Sequence, residues 1–182
     1  MVFKKCRDRI QMIARLHQRL YSSDDYSKVT FGDHLRDIAD MLVRSQTSGE
    51  CDITLQFQAD PMEVNIDTAI ALGLIADEVI LNSLKHAFKG RRAGTLCVEL
   101  RERILGELVV SDDGIGLPDE FDPKSSSSLG LELVLGLTRQ INGKTIIENR
   151  PSGGSSVTIL FPLNKSKNET TPSVHQPENT TS

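Results

Sequence analysis

Between Asp67 and Phe88 the chain runs DTAIALGLIADEVILNSLKHAF, a stretch too long for an ordinary strand and apolar on nearly every side. Such a segment reads as a helix that other parts of the molecule must cover. One polar stripe interrupts it. Glu78 and Asn82 stand at i,i+4, Asn82 and Lys85 at i,i+3, and Asn82 and His86 at i,i+4, so all four share a helical face. Unpaired polar groups inside a core are costly. Either this stripe faces water, or it faces a polar ligand.

The rest of the chain supplies what could cover that helix. Apolar residues at helical spacing run from Arg7 to Tyr21 and include His17 in their stripe. A second amphipathic helix is expected over 32–46, ended by Gln46-Thr47-Ser48-Gly49. Residues 51–58 alternate apolar and polar, as a half-buried strand does, and a short extended piece is expected at 62–65. Beyond the long helix, 95–104 and 107–111 read as strands joined by a turn at Gly106. Residues 112–128 form a loop rich in Asp, Gly, Pro and Ser. A helix over 129–141 and strands over 144–149 and 155–161 follow. From Asn164 onward apolar residues almost vanish, which predicts a disordered tail.

Composition narrows the function classes. At 182 residues the chain holds one domain with modest extras. Its net charge is −4, and aromatic residues are 4% with no Trp. Nucleic-acid binders usually carry a basic excess and stacking aromatics, so that class is not expected. No apolar run reaches the roughly 18 residues needed to cross a bilayer, and MVFKKCRDRI has no apolar signal core. The expectation is a cytoplasmic chain without a membrane segment. Cys6, Cys51 and Cys97 are far apart and form no CxxC pair, so reduced, packed thiols are expected.

Two more polar islands accompany the helical stripe. Asp112-Asp113-Gly114-Ile115-Gly116 follows the strand-like LVVS. A carboxylate at a strand end can accept a hydrogen bond from a base amino group, and glycines let the backbone approach a ligand; the same residues also make ordinary turns. Ser125 to Ser128 lead through Leu129-Gly130-Leu131 into a helix. A helix start there offers free N–H groups to an anion, and the serines equally suit an N-cap and a loop.

In this order and spacing, the three islands resemble the ATP-binding domain of the GHKL superfamily, the group of gyrase, Hsp90, histidine kinases and MutL. The segment E-V-I-L-N-S-L-K-H-A looks like the N box of a histidine kinase. Residues 10–21, 31–38, 71–75, 84–88 and 128–134 are similar to sensor kinases with the second HisKA type of dimerisation region, relatives of the HWE kinases. The resemblance spans about residues 7–162. It implies an α+β two-layer sandwich, a mixed sheet packed on helices, preceded by one helix of a truncated dimerisation hairpin. The implied organisation is a partial dimerisation helix at 1–28, a catalytic domain at 29–163 and a tail at 164–182.

The resemblance also implies roles. Asn82 would ligate Mg²⁺, and Glu78 would act as general base or orient a metal-bound water. Lys85 and His86 would contact phosphates of ATP, and Asp112 would bond the adenine amino group. Gly114 and Gly116 would shape the pocket, residues 117–128 would form a lid, with Phe121 its aromatic, and the Gly130 and Leu131 amides would meet phosphate. Gly153 and Gly154 resemble the last glycine box, in a structural role. The implied activity is transfer of the ATP γ-phosphoryl to a histidine. An acceptor motif of the form H-R-V-K-N-N does not occur in the chain. The implied acceptor therefore belongs to another polypeptide or to a missing N-terminal region. His17 falls at a structural position, His34 near a helix start is expected exposed, and His175 lies in the tail. The implied partners are a response regulator or histidine-bearing protein, and a second copy through the N-terminal helix. Two other readings stand beside this one: a serine-kinase regulator of the anti-sigma type, and a non-catalytic nucleotide-binding adaptor.

Overall fold

The computed structural model describes residues 29–46, 51–121 and 128–163. The helix expected at 7–21, the tail and part of the expected lid lie outside these residues. In chain order the elements are β1 (Val29–Thr30), α1 (Phe31–Gln46), β2 (Asp52–Ala59), β3 (Glu63–Val64), α2 (Ile66–His86), β4 (Ala93–Glu102), β5 (Gly106–Asp112), α3 (Leu129–Gln140), β6 (Lys144–Asn149) and β7 (Ser155–Phe161).

The strands β2-β4-β5-β7-β6 form one mixed sheet. The β2–β4 pair is parallel and every other neighbour is antiparallel. Alternation along β4 explains why the helices cover one face. Leu96, Val98 and Leu100 are buried, while Cys97, Glu99 and Arg101 between them are only half-buried. The buried side chains meet α1 and α2 in one core, which includes Phe31 and Leu35 from α1 and Leu72, Ile75 and Ile80 from α2. The result is the α+β two-layer arrangement expected from the sequence.

The α2 helix is the long apolar segment, and it packs against α1 on one side and α3 on the other. Ala69, Ala71, Gly73 and Ala76 are small enough to let those neighbours approach. Asn65 caps its N-terminus, its side-chain oxygen accepting from the Thr68 N–H at 2.8 Å. Lys85 and His86 occupy the last turn, where positive charge suits the helix dipole.

Several sequence expectations shift. A two-residue strand, β1, pairs antiparallel with β3 and carries no sequence signal of its own. The β4–β5 turn is made by Arg103, Ile104 and Leu105 and not by Gly106, with the Arg103 N–H bonded to the Leu105 carbonyl at 3.1 Å. Gly106 is the first residue of β5, where any Cβ would overlap the Phe161 ring. His34 is half-buried and not exposed, its ring centroid 6.2 Å from that of Phe31. Cys51 and Cys97 are free thiols. Burial pushes the Cys97 thiol up, and the Glu99 carboxylate that accepts from its sulfur adds to this. Among the described residues, no helix is long and apolar enough to cross a membrane.

Candidate functional site

The three islands, scattered over more than fifty residues of sequence, converge on the second half of α2. The polar stripe on that helix runs from inside to outside. Glu78 is buried at 4% exposure, Asn82 is half-buried, and Lys85 and His86 are exposed. The stripe therefore neither faces water throughout nor stays inside the core.

The second island meets α2 at two points. Asp112 ends β5 and is 1% exposed. Its Oδ2 accepts from the Ser83 hydroxyl at 3.1 Å, so the carboxylate is tied directly to the residue after Asn82. Two residues on, Gly114 lies against Ala87, so closely that any Cβ would overlap the Ala87 backbone. The Ile115 N–H then donates to the Ala87 carbonyl at 2.9 Å. The Asp113 N–H donates to the Thr95 carbonyl at 3.2 Å, and the Thr95 N–H returns a bond to Asp113 Oδ1 at 2.9 Å. Gly116 takes a φ of 76° beside Asn149, whose side chain clasps Leu117 by accepting from its N–H at 2.7 Å and donating to its carbonyl at 3.1 Å.

The third island meets α2 at Glu78. Ser128 caps α3, its hydroxyl accepting from the Leu131 N–H at 3.3 Å, which is the cap reading of the serine run. Gly130 lies in the first turn, buried against Glu78, and any side chain there would overlap the Glu78 carboxylate. A buried carboxylate thus touches the start of a helix. Phe121 is half-buried, at the edge of the described part of the expected lid.

Four residues important to this geometry were missing from the sequence reading. Ser155 donates both its N–H, at 3.2 Å to Oδ1, and its hydroxyl, at 2.8 Å to Oδ2, to Asp112. Ser83 supplies the hydroxyl from α2. Arg150 donates to the Asp112 carbonyl at 3.0 Å, and Arg91 to the Asp113 carbonyl. Ser155 and Arg150 reach Asp112 because β5 and β7 pair antiparallel, with Ser111 opposite Ser156. Only that pairing brings position 155 beside position 112. For Ser83, adjacency to Asn82 was the one available signal. Gly154 acts structurally: at a φ of 81° it packs against the Asp112 carbonyl where a Cβ would overlap it, while Gly153 takes a φ of 94° with open space around it.

The chain is similar to known proteins in sequence and fold. Residues 67–165 match the family model described as histidine kinase-, DNA gyrase B- and HSP90-like ATPase. Residues 1–46 match a second model, HisKA_2, described as histidine kinase. Blue-light-activated histidine kinase 2 of Erythrobacter litoralis is 33% identical over 143 residues, covering 76% of this chain and 40% of that protein. Sensor histidine kinase PdtaS of Mycolicibacterium smegmatis is 34% identical over 106 residues, covering 56% of this chain and 21% of that protein. The chain thus spans less than half the length of these relatives. Among solved structures, the histidine kinase domain of the Erythrobacter litoralis EL346 blue-light-activated kinase superposes with a TM-score of 0.73 at 26% identity, covering 86% of this chain and 72% of that one. The ATP-binding domain of PrrB from Mycobacterium tuberculosis gives a TM-score of 0.59 at 26% identity, covering 77% of this chain and 98% of that one.

Proposed function

The chain belongs to the family of histidine kinase-, DNA gyrase B- and HSP90-like ATPases, and we propose that it is the ATP-binding catalytic part of a sensor histidine kinase. Its reaction is transfer of the ATP γ-phosphoryl to a histidine. The observation that carries this reading is the convergence on α2: a buried carboxylate at a strand end, a half-buried amide and a helix start meet along a few turns of one helix.

Phosphoryl transfer asks a protein for positioning and charge stabilisation more than for covalent chemistry. Each residue has a part in that. Asp112, oriented by Ser155, Ser83 and the Gly114 N–H, accepts from the base amino group. Gly114 and Gly116 hold the turn close enough for a base to lie against it. The Gly130 and Leu131 amides lie in the first turn of α3, where the helix dipole favours a phosphate. Lys85 and His86, exposed at the end of α2, bring cationic and hydrogen-bonding groups to the phosphate chain. Glu78 would act as the general base or orient a water on a metal ion held at the site. Asn82 fits Mg²⁺: its side chain carries a neutral oxygen one turn from Glu78, half-exposed, and Mg²⁺ prefers oxygen donors while keeping several waters and substrate phosphates. Asn82 would hold that ion, which would supply neutralisation of phosphate charge.

The match of residues 1–46 to a histidine kinase model supports histidine as the acceptor and a second copy as the dimerisation partner, with a response regulator downstream. It also weighs against the serine-kinase reading. The proposed organisation keeps residues 1–28 as a partial dimerisation helix, 29–163 as the catalytic domain and 164–182 as a tail, in the cytoplasm.

Titration calorimetry with Mg-ATP tests the site. Asp112→Ala and Asn82→Asp each weaken ATP by at least about tenfold, the order of a lost hydrogen bond to a charged group. Unchanged affinity in both variants defeats the assignment. Labelled transfer to a supplied acceptor then decides the chemistry, since phosphohistidine is acid-labile and phosphoserine acid-stable.

A further inference from the structure

The Asp112 carboxylate already has as many donors as it can accept. An ionised carboxylate offers about four lone-pair sites. Here Oδ1 takes the N–H groups of Gly114 at 3.0 Å and Ser155 at 3.2 Å. Oδ2 takes the hydroxyls of Ser155 at 2.8 Å and Ser83 at 3.1 Å. A base amino group brought to this carboxylate is a fifth donor, and the residue is too buried to turn a fresh edge outward. One of the four has to leave.

The four are not equally free to do so. The Gly114 N–H is fixed by the turn that follows Asp112, and the Ser155 N–H by the start of β7. Ser155 grips the carboxylate twice, once through each oxygen. Ser83 holds by a single bond from a different element, longer than that of the Ser155 hydroxyl, and one rotation about χ1 releases it. Its hydroxyl also has somewhere to go, because a serine inside a helix can bond the carbonyl one turn back, here that of Val79.

We propose that the Ser83 hydroxyl and the amino group of the base compete for one acceptor position on Asp112 Oδ2. This rests on the nucleotide reading of the site and deepens it: Ser83 sets both the affinity for ATP and the selectivity for amino-bearing bases. The consequence is opposite to that of an ordinary site residue. Without the Ser83 hydroxyl, a buried acceptor goes unsatisfied until an amino group arrives, so removing the hydroxyl favours the bound state.

The test compares ATP with purine riboside triphosphate, which is the same nucleotide without the amino group, by calorimetry on the full chain. In Ser83→Ala the ATP dissociation constant falls about two- to tenfold, the equivalent of one hydrogen bond. The constant for purine riboside triphosphate does not move, and the melting temperature of the protein alone falls. Ser83→Cys, with a poor donor of similar size, shifts ATP the same way by less. Unchanged or weaker ATP binding in these variants, or an equal gain for both nucleotides, overturns the competition. Asp112→Asn separates the two levels. If it leaves ATP affinity intact, the nucleotide reading fails and the competition with it. If it weakens ATP while Ser83→Ala brings no gain, only the competition fails.

Discussion

Gly130 shows how one absent side chain can serve both folding and chemistry. The Glu78 carboxylate occupies the space where a Cβ would stand, so an acidic group reaches the first turn of a helix without bulk between them. Gly130→Ala therefore forces Glu78 aside and lowers stability by about 1–3 kcal/mol, the usual cost of overpacking. Thermal denaturation measures it. Combined with Glu78→Ala the penalty shrinks, because the two residues contend for the same volume and their effects do not add. At this scale the sequence was informative about residue type and silent about partners. The carboxylates and glycines stood out as motifs. That Glu78 would meet Gly130, or Asp112 would meet Ser155, depends on contacts between residues far apart in the chain, and no local pattern encodes those.

Elements were more legible, because each rests on a local rule. The apolar period of α2 and the alternation of β2 need no tertiary information, and both appear within two residues of their expected bounds. Where the reading slipped, a local signal had two meanings. Gly106 looked like a turn residue, yet it opens β5 because the Phe161 ring leaves no room for anything larger. The β1 strand was missed because two residues carry no period at all, while its partner β3 falls inside the extended piece expected at 62–65. The start of α3 is set by its cap: Ser128 bonds the Leu131 N–H, one of the donors a helix start otherwise leaves unpaired. Ser128→Ala costs about 1 kcal/mol, read as a lower urea midpoint with an unchanged denaturant slope. A midpoint that does not move would mean that packing against α2, and not the cap, determines where α3 begins.

For the molecule as a whole, the topology has a consequence in time. The β4–β5 hairpin turns over three residues, so its strands find one another almost as soon as they exist. The β2 strand pairs with β4 in parallel, Asp52 beside Ala93 through Ala59 beside Leu100, and the whole of β3 and α2 lies between them in sequence. Closing that span costs chain entropy before any contact repays it. During refolding, pulsed hydrogen exchange should therefore find the amides of β4 and β5 protected before those of β2; simultaneous protection would rule out this order. A ribosome makes the interval longer, since it delivers β2 first and its neighbour only after α2 has emerged. The strand that begins the sheet on paper is the one that must wait for it.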